Sequence, residues 1–252
     1  MSGPARIRSE AVAAWHAFVR RRTAVFFTFF FPVILILIFA VLVGTNPGGG
    51  GLFAEPPGYY LPGYLAVVVL FTPLSRVGST VARHREGNRF EKLATTPLSR
   101  AEWLLAHTLV NVLIIGIAAL LILGLLTLAT DAALALGPAN LAVVAAFTAL
   151  AVALFCGLGA ILGSTADSQD GVIAASNGIA LPLLFLSETF VTPALLPAWF
   201  RPAMNVSPLT YFARGVRQLT FSGGPVAGEL AVLAALAVAF FAAGAYAIPE
   251  TD

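Results

Sequence analysis

Lysine is nearly missing from this 252-residue chain: Lys92 is the only one. A Walker A loop needs Gly-Lys-Ser/Thr to cradle nucleotide phosphates, so ATP is not expected to bind this chain in that way. Cysteine is as scarce. Cys156 stands alone in an apolar stretch, which excludes an intrachain disulfide and a cysteine metal site. It reads as a small buried hydrophobe. The three histidines, His16, His84 and His107, fit no HExxH or other metal-ligand spacing. A nucleophile needs a base held beside it, and the polar cluster Ser164, Asp167, Ser168 and Asp170 reads more simply as a solvated connector. No catalytic residue, metal site or cofactor of its own is therefore expected, and the chain is not expected to be an enzyme.

Charge is the largest deficit. Asp, Glu, Lys and Arg make up 10% of the residues and hydrophobic ones 59%; soluble domains carry roughly a quarter charged residues. Long apolar runs, each able to cross ~30 Å of hydrocarbon, explain the shortage. In lipid the backbone must satisfy its own hydrogen bonds, which leaves helices or a closed barrel. The runs are continuously apolar without in–out alternation, so the fold class expected is all-α and integral to a membrane. The span centres hold essentially no ionisable side chains, the usual equipment of ion-coupled carriers. The sequence pI near 9.0 reflects basic loops at one face, and nucleic acid is not an expected partner.

Six spans are expected, at about 25–43, 61–81, 103–130, 139–163, 172–187 and 225–248. Residues 5–22 precede them as an amphipathic helix: Ile7, Ala11, Trp15 and Phe18 recur at helical spacing between arginines, a pattern suited to the headgroup region. The N-terminus does not read as a cleaved signal peptide. Pro32 and Pro73 are expected to bend the first and second spans. Gly44 to Gly51 and Pro56-Pro57-Gly58 form a flexible loop. Tyr59, Tyr60 and Tyr64 then read as an interfacial aromatic belt. Arg76 lies near the basic end of its span and is expected to snorkel outward. Ser99 and Glu102 make a capping box for the third span. The glycines of Gly157-Leu-Gly159-Ala-Ile-Leu-Gly163 permit close helix contact. Glu188–Gly224, rich in proline and aromatics, reads as short helices or a re-entrant hairpin on the outer side, and Pro225 as a first helical residue.

Arginine sets the orientation. Arg6, Arg8, Arg20, Arg21 and Arg22 precede the first span, and Arg83, Arg85, Arg89, Lys92 and Arg100 lie between the second and third. Both termini are expected in the cytoplasm. Arg201, Arg214 and Arg217 on the opposite side are the exception. Thr72-Pro-Leu-Ser-Arg76 recurs as Thr96-Pro-Leu-Ser-Arg100, but the flanks differ, so it is no duplication.

The segment Arg83–Glu102 has two readings. One is a solvated basic loop that fixes topology. The other is a docking helix whose Phe90 and Leu93 insert into a groove on a cytoplasmic partner, with Arg85, Glu86, Arg89 and Glu91 setting the register.

Arg85-Glu86-Gly-Asn-Arg-Phe-Glu-Lys-Leu93-Ala-Thr-Thr-Pro97-Leu-Ser-Arg-Ala-Glu102 resembles the cytoplasmic loop of type-2 ATP-binding-cassette (ABC) exporter permeases. Leu186-Ser187, Pro193, Leu196-Pro197-Ala-Trp199 and Ser207-Pro-Leu-Thr-Tyr211, closing on Arg214-Gly-Val-Arg217, resemble that family's outer segment. Glu188 stands where the family usually has a small residue, and Ser207 where it usually has Asn. The resemblance covers the whole chain as one transmembrane domain, 1–252. It implies a permease in a prokaryotic cell membrane, paired with a second copy or a paralogue. Two soluble ATPase subunits would hold the ATP and magnesium. The coupling residues would be Arg85, Glu86, Arg89, Phe90, Glu91 and Leu93. Those on the substrate side would be Glu188, Pro193, Pro197, Pro208, Tyr211 and Arg217. Family cargo includes drugs, lipids and polysaccharide carriers, and the apolar spans fit an amphipathic or lipid-like compound, as in multidrug efflux. Two rival readings remain: a structural or assembly subunit that moves nothing, and an ion-coupled carrier.

Overall fold

The nearly charge-free runs become long helices, and the polar connectors stop them. The computed structural model describes residues 2–45 and 53–249, and among these it is helical with no strand. Most of the expected glycine-rich loop, 46–52, lies outside the described residues. Helix α1 (Gly3–Val19) leads into α2 (Arg22–Ile36), which runs through Pro32 and passes into a π-helical turn at Leu37–Leu42. A 3-10 turn at Pro57–Tyr60 opens α3 (Leu61–Glu86). Then come the short α4 (Arg89–Ala94), α5 (Arg100–Ala129), α6 (Pro138–Thr165) and α7 (Gln169–Phe185). Two 3-10 turns, Pro193–Leu195 and Arg201–Val206, precede α8 (Pro208–Arg217). The last helix, α9 (Ala227–Ala247), begins two residues after Pro225, with Val226 as its cap.

Among the described residues, five helical stretches are long and apolar enough to cross a bilayer: Arg22–Leu42, Pro57–Glu86, Arg100–Ala129, Pro138–Thr165 and Ala227–Ala247. The expected span at 172–187 coincides with α7, which has 17 residues. At 1.5 Å per residue that is about 25 Å, shorter than a ~30 Å hydrocarbon core. By length and composition five described helices qualify as spans, and α7 is the expected sixth that falls short.

Helix ends sort into two groups. At one, the Arg6 guanidinium bonds Glu102 Oε1 at 2.6 Å, joining the starts of α1 and α5. Arg100 donates to the carbonyls of Tyr246 and Ile248 at the end of α9, at 3.2 and 2.9 Å. Arg85 caps the last carbonyls of α6, Gly163 O at 3.3 Å and Ala166 O at 3.0 Å, while Glu86 accepts Gln169 N–H at the start of α7. Arg85 and Arg100 thus cap helix C-termini, and Glu86 and Glu102 helix N-termini, where the dipole favours them; Arg6, between two N-termini, is held by its pairing with Glu102. Of the 14 Lys and Arg residues, all but Arg76, Arg201, Arg214 and Arg217 belong to this basic end. At the other, Ala135 N–H bonds Thr220 O at 2.7 Å and Arg217 reaches Tyr59 O. Helix α7 starts beside Glu86 and is followed by Glu188, which binds α8, so it runs from one group to the other.

α6 is the central strut, and its glycines let it lie against two helices at once. A Cβ on Gly159 or Gly163 would strike the α3 backbone at Leu74 and Gly78. One on Gly157 would strike the α9 backbone at Phe240, and one on Gly244 would strike Gly157 in return. The expected small-residue contact is thus made on both faces of α6. Tyr60 and Tyr64 depart from the expected aromatic belt. They are 1% and 2% exposed and face the core, Tyr64 edge-on to Phe190. Their span is the most buried of the five, so its start lies inside protein rather than at a lipid boundary.

Candidate functional site

α4 stands where the sequence placed a docking helix, and the segment is helical. Asn88, in the left-handed region at φ 49°, turns the chain out of α3. Thr95 and Thr96 return their hydroxyls to the carbonyls of Lys92 and Leu93 and stop the helix before Pro97. Asn suits that turn because its short polar side chain tolerates a positive φ. The capping box follows as expected: Glu102 N–H bonds Ser99 Oγ at 3.2 Å, and Ser99 N–H bonds Glu102 Oε2 at 2.9 Å.

The expected insertion of Phe90 into a partner is corrected. Its side chain is buried, with its ring 5.4 Å from His84 and 5.8 Å from Trp103. The amphipathic face that looked free in the sequence is the root by which α4 is anchored. Arg85 and Glu86 brace α6 and α7, and Leu93 is half-buried. Arg89, Glu91, Lys92 and Ala94 remain exposed. Of these, Ala94 lines a groove of about 660 Å³ with Leu93, Ala101, Trp103 and Tyr246, joining α4, the start of α5 and the end of α9.

α1 lies across this end. Ala14 and Phe18 pack on Val110 and Ile114 of α5, and Glu10 bonds His107 Nε2 at 3.2 Å. That bond holds the Glu10 carboxyl below the usual carboxylate range, against burial, which raises it. Arg76 is corrected too. It does not reach outward. Its guanidinium donates to Ala14 O and Asn111 Oδ1, both at 3.2 Å, and lies 4.7 Å from the centre of the Phe18 ring. An arginine inside a bilayer is costly alone, and α1 supplies its cover. His84 is walled by Phe90 and Trp103.

At the opposite end the structure brings Glu188 and Arg217 together, with Arg214 and Tyr59 beside them. Arg217 is buried; it donates to Glu188 O at 2.6 Å and Tyr59 O at 3.2 Å, and stacks 3.9 Å from the Tyr59 ring centre. Arg214 pairs with the Glu188 carboxylate, which raises its already high pKa. Pro208 starts α8, and Tyr211 donates its hydroxyl to Asn205 O at 3.1 Å. Pro193 opens a 3-10 turn and Pro197 is exposed, both outside this cluster. Tyr59 was missed because its role is contributed from 158 positions away. The signal for Arg214 was present: two arginines three apart share a helix face.

Among the described residues, no group of three His, Cys, Asp or Glu is placed to hold a metal ion. A family model described as the ABC-2 type transporter matches residues 7–221. The chain belongs to the ABC-2 type transporter family. It is thus a multi-pass membrane permease of that family. It is also 29% identical, over 180 residues, to a daunorubicin resistance ABC transporter permease protein, DrrB1, of Streptomyces coeruleorubidus. That alignment takes in 68% of this chain and 61% of the relative's length.

Proposed function

We propose that this permease is the membrane subunit of an ATP-driven exporter that moves an amphipathic or lipid-like compound out of the cytoplasm. A separate ATPase subunit would bind ATP and magnesium. The observation that carries this is the family match across α1 to α8. The relative's printed role in daunorubicin resistance supports an amphipathic cargo. The whole of 1–252 would act as one domain with six crossings. The passage of α7 from one end of the bundle to the other supports the sixth, despite its length. The basic end would face the cytoplasm of a prokaryotic cell, with both termini there.

The ATPase would dock on the exposed side of α4, with Arg89, Glu91 and Ala94 beside the groove. Phe90, Leu93, Arg85 and Glu86 would carry the push inward, to α5, α6 and α7. ATP-driven closure shifts the permease only if the ATPase binds one of its states better. A second permease copy would cover α2 or α5, whose Phe27, Phe31, Leu109, Leu113 and Leu120 are exposed. At the outer end, Glu188, Tyr211 and Arg217, with the turns at Pro193, Pro197 and Pro208, would form the cargo's exit.

The test is affinity purification of the tagged chain from its own membranes in mild detergent. A soluble Walker-motif ATPase is expected to accompany it, and to be lost in Glu91→Arg with Ala94→Asp. These positions are exposed, so the fold is retained. If no ATPase accompanies the unaltered chain, the exporter reading falls.

A further inference from the structure

Of the cleft beneath α1, the reading above uses only Arg89 and Leu93. It measures about 770 Å³ and lies between α1, α3, α4 and the start of α5. Five permanent cations line it: Arg21, Arg76, Arg83, Arg89 and Lys92. One carboxylate joins them, Glu10, and that is already engaged by His107. Five cations with one committed anion repel one another, and solvent at the rim screens only the outer three. Two ring or guanidinium nitrogens in the wall, Arg83 Nε and His84 Nδ1, are buried without a hydrogen-bond partner among the described residues. Buried polar atoms left unmatched cost free energy, so each requires an explanation.

The opposite wall is apolar. Ala13, Ala14, Ala17 and Phe18 of α1 line it, with Ala24 at the start of α2. From there α2 continues as a stretch with Phe26, Phe27, Phe30 and Phe31 exposed. A basic floor beside an apolar wall that continues into a membrane helix matches a charged head carrying acyl chains. A water-soluble phosphate has no use for that wall.

We infer that this cleft binds the phosphate headgroup of a net-anionic phospholipid from the leaflet at the basic end, with Arg83, Arg89, Lys92 and Arg21 as the recognising cations. A phosphodiester oxygen accepts from guanidinium donors in pairs. The bound lipid wedges α1 against α3 and α4, and so ties the helix that covers Arg76 to the helix proposed to meet the ATPase. The inference rests on the membrane placement of the chain and not on the ATPase partner.

The experiment titrates the purified full chain, in neutral detergent without any ATPase, with short-chain phosphatidylglycerol, phosphatidylcholine or inorganic phosphate. The readout is tryptophan fluorescence, since Trp103 packs on His84 of the cleft wall, and bound lipid is counted by native mass spectrometry. Phosphatidylglycerol is expected to bind, with phosphatidylcholine weaker by tenfold or more. Arg21→Gln with Lys92→Gln, both exposed, is expected to weaken binding roughly thirtyfold, as two juxtamembrane cations near a lipid surface would. Arg83→Gln, checked for helix content, is expected to weaken it further, and Arg201→Gln at the other end to leave it unchanged. Equal binding of the two lipids, or no loss in the double variant, overturns the site. An equal loss in Arg201→Gln reduces it to general charge attraction. Displacement by inorganic phosphate at equal concentration gives the cleft to a soluble phosphate instead. Lipid binding that persists where no ATPase co-purifies would leave the cleft standing and the exporter reading fallen.

Discussion

The two ends of the bundle use arginine in opposite ways. At the end opposite the basic one, the outer end of the proposed orientation, Arg214 and Arg217 turn inward and are consumed by Glu188 and by the carbonyls of Glu188 and Tyr59. At the basic end Arg6, Arg85 and Arg100 are bonded as well, and three carboxylates are consumed. Glu86 and Glu102 hold the starts of α7 and α5, and Glu10 holds His107. Arg21, Arg89 and Lys92 there form no ion pair among the described residues and stay exposed. One end is closed by its own charges; the other presents its charges for something else to meet. The difference lies less in how many arginines each end has than in whether carbonyls and carboxylates are within reach of them.

Breaking the outer closure should have the largest effect. Arg217→Ala leaves two buried carbonyls unmatched, and should cost about 2–3 kcal/mol, the upper part of the range for a buried acceptor that loses its donor. Thermal unfolding of the purified protein in detergent checks it. A loss as small as that of an exposed arginine, such as Arg201→Ala, would show that the outer end is not sealed by this residue. The Glu188–Arg214 pair sharpens the same point with less energy. Arg214 is one-third exposed, so a double-mutant cycle of Glu188→Gln and Arg214→Gln should give a coupling of about 1 kcal/mol after discounting for solvent screening. No coupling would mean that Arg217 alone closes this end.

These contacts show which parts of the molecule were legible in the sequence. Features set by neighbours along the chain were: the long helices, the Ser99–Glu102 box, the stop at Thr96-Pro97 and the glycine face of α6. Features set by what lies across the bundle were not. Phe90, Tyr60 and Tyr64 are apolar or aromatic residues at a helix edge, and such residues face lipid, a partner or a neighbouring helix with the same spacing. Only the placement of Trp103 and His84 shows that Phe90 faces inward. Arg76 is similar: snorkelling is the default for an arginine near a helix end, and it was overruled by α1, some 62 residues away. The span at 172–187 was legible as a helix but one turn or so short of a full crossing, because composition reports apolarity better than where a helix ends.

At the basic end, Ser99→Ala should cost about 1 kcal/mol, the usual loss of an N-cap hydroxyl. It frees Glu102 N–H at the foot of α5 and leaves the outer closure untouched, so hydrogen exchange should quicken at residues 99–103 and not at 214–217. Faster exchange at both would mean the two ends are not energetically separate.

The smallest expected effect is one of pH, and it bears on whether α1 is a fixed part of the basic end or a cover that lifts. Glu10 bonds His107, and that bond holds its carboxyl below the usual range. A carboxyl whose folded pKa is depressed favours the docked state at every pH above its ordinary value. That contribution is lost as the pH falls through the lowered one. α1 should therefore loosen only in acid, below the ordinary carboxylate range, and not between neutral and mildly acidic pH. Hydrogen exchange of 5–18, or the fluorescence of Trp15, follows it directly. Glu10→Gln keeps a hydrogen-bonding oxygen but has no proton to take up, so its α1 should be looser at neutral pH and should show no acid step. If the acid step survives in Glu10→Gln, the Glu10–His107 bond is not what ties α1 to α5. The packing of Ala14 and Phe18 on Val110 and Ile114 would then hold the cover shut without help from charge.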